Sequence, residues 1–280
     1  MLRALEGEFV VYDGHGWLVK GFQHKPGWLV AYPRYDLVNR RKMERREVER
    51  LQSSHESWWD CLKLRLPLIP LDRVSKPFTG LKTPVLRLLS HLLDFDEEDM
   101  EVTGSYLVDP HEAGDVDIVL YGADESTVER LEALVSRGVL KRAGLWHSLR
   151  EYYTKHVGRV DLDLYLALKA RTLLHLSVNG VVVNLRPYRY RAGWHKCVDR
   201  VVKRASVRGV IELRDRATPI LPARRRAFIG GEEVVFETHR ELYAELPPGV
   251  YYVEGEIEYR ESGVYIVADR GRVWAKGGYE

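Results

Sequence analysis

The strongest constraint on the fold is a strand pattern that alternates acidic and apolar side chains over residues 115 to 120. Successive side chains of a β-strand point to opposite faces of a sheet, so Asp115 and Asp117 lie on one face. The apolar side chains between and after them lie on the other face, which predicts that this face covers a core. The pattern therefore predicts an α/β, or more broadly α+β, core that presents two carboxylates side by side.

A Gly-Ser dipeptide precedes this acid pair by nine residues. Gly104 lets the backbone approach a phosphate closely, and Ser105 can donate a further hydrogen bond. Mg²⁺ prefers oxygen ligands, and two ions roughly 3.5 to 4 Å apart can bind both the attacking and the leaving oxygen of a phosphoryl group. We therefore expect Gly104 and Ser105 to hold the phosphates of a nucleoside triphosphate, and Asp115 and Asp117 to bind the metal.

A site of this kind usually needs a third carboxylate, and the segment from Arg159 to Tyr165 supplies two candidates. We predict a strand over residues 159 to 166, which places Asp161 and Asp163 on one face. Acids in an apolar run are costly unless they are paired, solvated or bound to metal. We favour Asp161 as the third acid and keep Asp163 as the alternative third ligand.

The motif Gly104-Ser105-x9-Asp115-Val-Asp117 resembles the signature of the nucleotidyltransferase superfamily that includes DNA polymerase β, CCA-adding enzymes and minimal antitoxin transferases. Over residues 102 to 122 the chain is similar to archaeal predicted nucleotidyltransferases. Residues 19–21 and 30–35 resemble the leading β segment of the same group. The resemblance covers the motif most closely and the C-terminal third more loosely.

The resemblance implies transfer of a nucleoside monophosphate from an NTP such as ATP to an acceptor hydroxyl, with pyrophosphate as the leaving group. It implies two Mg²⁺ ions, or Mn²⁺ in their place. Asp115 and Asp117 would bind the metals, and Asp161 would ligate the ion next to the acceptor hydroxyl. RNA or DNA ends are the favoured acceptors.

Composition and turn signals divide the chain into three predicted segments. Residues 1–80 form a small N-terminal β domain with a helical linker, residues 81–184 the polymerase β-like domain, and residues 185–280 a C-terminal β-barrel that resembles an OB-fold. The predicted strands are 8–12, 17–21, 28–32, 116–120, 149–155, 159–166, 207–213, 233–237, 250–259 and 263–268. The predicted helices are 53–64, one capped by Thr83, and one opened by a capping box at Ser126 and closed at Gly138.

Basic and aromatic side chains alternate between residues 186 and 196, inside a stretch from Asn184 to Arg208 that has eight Lys or Arg and one Asp. Cations neutralise phosphates, and rings stack on bases. The residues expected to contact an RNA or DNA acceptor are Arg186, Tyr188, Arg189, Tyr190, Arg191 and Trp194. The alternative is that these aromatic rings close the base of the barrel.

Two other functions stay open at this point. One is a nucleic-acid-binding adaptor whose transferase site is catalytically degenerate. The other is a protein-modifying, AMPylating transferase, which would require a partner protein in place of a nucleic acid.

The remaining expectations come from composition. The two cysteines, Cys61 and Cys197, lack metal-ligand spacing, so we expect neither a zinc site nor a disulfide. No run of 18 apolar residues and no signal-peptide pattern is present, which predicts a cytoplasmic protein without a membrane partner. A net charge of +2 by itself does not imply a nucleic-acid partner.

Overall fold

The computed structural model describes residues 2–78 and 80–276. The chain forms two compact units: unit 1 comprises Met1–Thr127 with Val181–Arg200, and unit 2 comprises Val128–Gly180 with Val201–Glu280. Unit 1 thus contains both the N-terminal strands and the strands that carry the acid pair. The division of the chain into domains at residues 1–80, 81–184 and 185–280 remains a prediction.

The fold is α+β, with open sheets and a closed five-stranded barrel. The strands are β1 Phe9–Tyr12, β2 His15–Val19, β3 Trp28–Asp36, β4 Arg41–Lys42, β5 Glu56–Trp59, β6 Leu64–Pro70, β7 Met100–Thr103, β8 Val116–Tyr121, β9 Lys141–Arg142, β10 His175–Val178, β11 Val181–Tyr188, β12 Val201–Leu213, β13 Ala223–Ile229, β14 Glu232–Thr238, β15 Gly249–Arg260 and β16 Gly263–Ala275. The helices are α1 Arg45–Ser54, α2 Pro84–Leu93, α3 Glu125–Ser136, α4 Leu145–Glu151, α5 Leu162–Lys169 and α6 Glu241–Ala244.

The N-terminal part of unit 1 is an antiparallel sheet in the order β1-β2-β3-β6-β5, with β4 beside β3. Its first three strands confirm the predicted β segments. The helix predicted at residues 53–64 is wrong. Residues 56–59 form β5, because Trp58 and Trp59 favour a strand, and the helix lies earlier, in α1. The side chain of Glu47 accepts a hydrogen bond from the backbone of Glu44 (2.7 Å), which closes a capping box in that charged segment.

Three strands of unit 1 place the acid pair. β7 pairs with β8 antiparallel, and β11 pairs with β8 in parallel. The preceding helix α2 begins as predicted: the Thr83 hydroxyl oxygen accepts a hydrogen bond from Leu86 N (3.1 Å). Helix α3 also forms, but its first turn is capped by Asp124, which accepts from Thr127 N (3.1 Å), so the capping box predicted at Ser126 is wrong.

The two strands predicted at residues 149–155 and 159–166 are wrong, because in unit 2 residues 149–155 and 162–166 are helical and residues 159–161 form the connection between the helices. Residues 145–151 form α4, the Tyr152–His156 segment continues it as a π-helix, and residues 162–169 form α5. The buried side chains of α5 are Leu164, Tyr165 and Leu168, a spacing that fits one helix face. A short apolar run satisfies both periodicities, so the sequence pattern alone did not separate strand from helix.

The barrel of unit 2 confirms the predicted C-terminal β structure. Its closed strand order is β12-β13-β14-β16-β15, in which β14 and β16 are parallel and the other neighbours are antiparallel. Its interior contains the fully buried Ile211, Phe236, Val253 and Ile266. The sequence analysis missed β13, because its three consecutive arginines conceal the apolar alternation.

Cys61 and Cys197 form a disulfide within unit 1, so the expectation of two unpaired cysteines is wrong. Their Cα atoms are 5.6 Å apart, inside the range that a disulfide bridges. The two residues are 136 positions apart in the sequence, and only the fold brings them together. Such a bond is unusual in a cytoplasmic protein, with heat-adapted organisms as the exception.

We expect the Cys61→Ser/Cys197→Ser variant to be less stable than the oxidised wild type by about 2 to 4 kcal/mol, because the cross-link restricts the unfolded chain. Urea titration followed by circular dichroism measures the difference. Wild type treated with reductant is the control and should match the variant. Equal urea midpoints for the oxidised wild type and the variant would show that the bond contributes nothing to stability.

Candidate metal and nucleotide site

The Gly-Ser turn and the acid pair meet at the ends of β7 and β8. Thr103, the last residue of β7, lies opposite Asp117 in the antiparallel register. Gly104 follows with a φ of 79°, a left-handed conformation that favours glycine. A Cβ atom on Gly104 would lie 2.1 Å from Asp117 Oδ2. Only glycine therefore allows the turn to approach this carboxylate so closely.

The turn is fixed by local hydrogen bonds. Residues 104–107 form one turn of 3₁₀-helix, and the carbonyl oxygen of Ser105 accepts hydrogen bonds from Val108 N (2.9 Å) and Asp109 N (3.0 Å). The Thr103 hydroxyl donates to the carbonyl of Gly7 (2.6 Å), which ties the end of β7 to the N-terminal segment of unit 1. The Gly-Ser turn thus has a defined position beside the acids before any ligand binds.

A residue that sequence analysis missed joins the two carboxylates. Asn184 lies on β11 opposite Asp117 in the parallel register. Its side-chain Nδ2 donates hydrogen bonds to Asp115 Oδ2 (2.8 Å) and to Asp117 Oδ1 (3.1 Å). The signal available in the sequence was one amide among the apolar residues 181–185, but the neighbour of Asn184 across the sheet cannot be read from the sequence.

Cationic and aromatic groups of unit 1 surround Asp117. Arg186, two residues after Asn184 on β11, has Nη2 3.8 Å from Asp117 Oδ1. Burial, with a further contribution from the negative charge of Asp117, raises the pKa of Tyr35 to about 12. Tyr35 belongs to β3, so the N-terminal sheet contributes to the electrostatic surroundings of the acid pair.

The two candidates for the third acid lie in unit 2. Asp161 is the residue before α5, and its Oδ2 accepts a hydrogen bond from Ala275 N (3.2 Å). Asp163 lies in the first turn of α5. Across residues 2–78 and 80–276, no three His, Cys, Asp or Glu side chains are grouped so that they could hold a metal ion. The assignment of Asp161 or Asp163 as a metal ligand stays a prediction.

Most of the predicted acceptor-binding residues are packed within unit 1. Tyr188 is fully buried, and the Tyr190 ring lies 4.8 Å from Phe22 and 4.9 Å from Trp194 between ring centroids. Arg191 forms an ion pair with Asp99. Within this set Arg189 and Arg191 are exposed. Contact of these residues with a nucleic acid stays a prediction, and the rings already have apolar partners.

Comparisons with known proteins returned no protein-family model, no curated protein and no solved structure that matches this chain. In the described part of the chain, no helix has both the length and the apolar character needed to cross a membrane. The geometry of the site and the resemblance of its motif are therefore the two features that bear on function.

We expect Gly104→Ala to lower the free energy of unfolding by at least about 1 kcal/mol more than Gly138→Ala does. Both glycines have left-handed φ angles, but a Cβ at Gly138 meets no atom within 4 Å, whereas one at Gly104 overlaps Asp117. Chemical denaturation of both variants measures the difference. Equal losses would contradict the close approach of the turn to the carboxylate.

Proposed function

We propose that unit 1 carries a metal-dependent nucleotidyltransferase site, which moves a nucleoside monophosphate from an NTP to an acceptor hydroxyl and releases pyrophosphate. The observation that carries the proposal is the contact between the Gly-Ser turn and the acid pair, with Gly104 directly against Asp117. A phosphate-binding turn and the metal ligands of one transfer site must lie within a few ångströms of each other. The motif and the fold of unit 1 both meet this condition.

The donor set fits a hard divalent cation. Asp115 Oδ2 and Asp117 Oδ1 lie 2.8 Å and 3.1 Å from one atom, Asn184 Nδ2, so the two carboxylates are close to each other. Carboxylate oxygens are ligands that Mg²⁺ and Mn²⁺ accept, and a bound ion would replace the amide N–H groups as their partner. When bound, such an ion would neutralise charge on the reacting phosphoryl group and lower the pKa of the attacking hydroxyl.

The residues of the chain itself would bind and orient the NTP. The backbone of Gly104 and the hydroxyl of Ser105 would hold the β- and γ-phosphates, as expected from the motif. Arg186, close to Asp117, would add positive charge beside the triphosphate. Phosphoryl transfer is catalysed mainly by such positioning and electrostatic stabilisation.

The barrel of unit 2 supports an oligonucleotide as the acceptor. Its strand order, the parallel pairing of β14 with β16, and the short helix α6 between β14 and β15 resemble an OB-fold. Barrels of this kind bind oligonucleotides and oligosaccharides on one sheet face and its loops. This likeness of fold favours an RNA or DNA acceptor over a protein side chain, although fold alone does not define function.

A second candidate is a nucleotide-binding adaptor without turnover, and Asn184 is the observation that favours it. The side chain that contacts both acids from the neighbouring strand is a neutral amide, whereas a transfer site of this kind usually needs a third carboxylate. Two carboxylates and a neutral amide carry two negative charges, which neutralise one divalent cation but not two. Such a site would bind a metal-nucleotide complex but activate an acceptor hydroxyl poorly.

We expect the wild type to bind ATP in calorimetry only when Mg²⁺ is present, and the Asp115→Ala/Asp117→Ala variant to bind more than about tenfold more weakly. Loss of the metal ligands removes the cation that links the protein to the triphosphate. Glu112→Ala, which removes an exposed acid from the preceding loop, is the matched control and should bind as the wild type does. Metal-independent binding by all three proteins would refute the site.

The second comparison measures turnover. If the protein is a transferase, the wild type should release pyrophosphate faster than the Asp115→Ala/Asp117→Ala variant. Both proteins are given MgATP and a mixture of short RNA and DNA strands. We expect Asn184→Asp, which adds a third carboxylate, to increase this rate. If only Asn184→Asp releases pyrophosphate, the native chain is the adaptor; if no protein does while ATP still binds, acceptors of another class are required.

A further inference from the structure

Helix α4 and the π-helix that follows it have an unusual distribution of side chains. Exposed apolar groups cluster here: Trp146 is 83% exposed, Tyr153 66%, and Leu145 and Val157 59% each. Trp146, Arg150 and Tyr153 are spaced by four and three residues, which places them on one helix face. A helix at a protein surface normally turns its apolar side chains to the core, whereas this outward face carries two exposed rings, Trp146 and Tyr153.

The inward face of the same segment buries the Tyr152 ring in the apolar core of unit 2 and also carries an acid. The carboxylate of Glu151 accepts a hydrogen bond from the Tyr165 hydroxyl (2.7 Å) and forms an ion pair with Lys169 (2.7 Å). His175 Nδ1 and Lys155 Nζ lie 3.3 Å and 3.4 Å from the same carboxylate, and the Lys155 side chain stays 55% exposed. These contacts anchor the helix through its acid, and Trp146 and Tyr153 remain on the outside.

Within the stretch of chain that forms this face, the exposed charge has one sign. Between residues 137 and 160 the chain has one acid, Glu151, which is turned inward with a side chain 13% exposed. The bases in the same stretch are Arg137, Lys141, Arg142, Arg150, Lys155 and Arg159, all classed as exposed. Exposed rings are thus interleaved with cations in a region almost free of exposed negative charge.

We propose that this face of unit 2, the 145–157 surface, binds single-stranded nucleic acid through Trp146, Tyr153, Arg150 and Lys155. A single strand offers phosphates and base faces in alternation, and cations beside rings match both. A bilayer would favour a continuous apolar stripe, but Arg150 and Lys155 interrupt this one. The proposal deepens the proposed function by naming the acceptor class, and to that extent rests on it; the binding itself requires neither Asp115 nor Asp117.

The backbone of the surface gives independent support. The Val157 amide donates to the carbonyl of Tyr152 (3.1 Å), five residues back, which defines the π-helical segment. Such segments are rare and occur frequently at functional sites. Here the wider turn lies directly beneath Tyr153 and Lys155, and therefore determines where the ring and the cation point.

The test is fluorescence anisotropy with a labelled single-stranded 12-mer of oligouridine, in EDTA so that the metal site does not contribute. We expect the wild type to bind with an affinity that falls as salt is added, and Trp146→Ala/Tyr153→Ala to bind at least about tenfold more weakly. Arg150→Gln should reduce the slope of log affinity against log salt concentration by the amount expected for roughly one phosphate contact. Trp58→Ala, which removes a half-exposed ring from unit 1, is the matched control and should bind normally.

Three results separate the possible outcomes. Unchanged binding by the double aromatic variant, with its folding verified by circular dichroism, would overturn the proposal. Binding of the wild type to phosphatidylserine vesicles but not to the 12-mer would also overturn it and assign the surface to lipid. The Asp115→Ala/Asp117→Ala variant should bind the 12-mer as the wild type does. Binding of the 12-mer would therefore be observed even if the transferase proposal failed.

Discussion

The proposed site of unit 1 depends on two carboxylates held side by side at the start of one strand. Asp115 and Asp117 repel each other, and taking them partly out of water increases that cost. The two N–H groups of the Asn184 amide offset part of it by donating one hydrogen bond to each acid. Arg186 adds a nearby positive charge. A pair maintained against its own repulsion would suit a divalent cation, as proposed, and Gly104 places the Gly-Ser turn directly beside it.

The sequence predicted the parts that depend on local patterns. The period of two in residues 115 to 120 placed both acids on one face of β8, and the nine-residue spacing identified the turn at Gly104. The Thr83 cap predicted the start of α2, and repeated β-prone runs predicted the barrel. Each of these signals is contained in a few adjacent residues, so the rest of the fold does not override it.

The parts that failed depend on contacts between distant residues. Asn184 and Asp117 are neighbours because β11 pairs with β8 in parallel, and the Cys61–Cys197 disulfide spans 136 residues. The segment that forms α4 and α5 was predicted as strand because short apolar runs fit both periodicities. Its helical form follows from tertiary contacts, such as those of Glu151 with Tyr165 and Lys169, that no local pattern displays.

The most direct test of the central claim is crystallographic. Crystals grown with Mn²⁺ and a non-hydrolysable ATP analogue, measured at the manganese absorption edge, locate the ion without reference to any activity. The proposed site predicts an anomalous peak bound by the carboxylates of Asp115 and Asp117, with the triphosphate against Gly104 and Ser105. Nucleotide and manganese bound elsewhere, with no peak at the carboxylate pair, would contradict the assignment of this pair as the metal site.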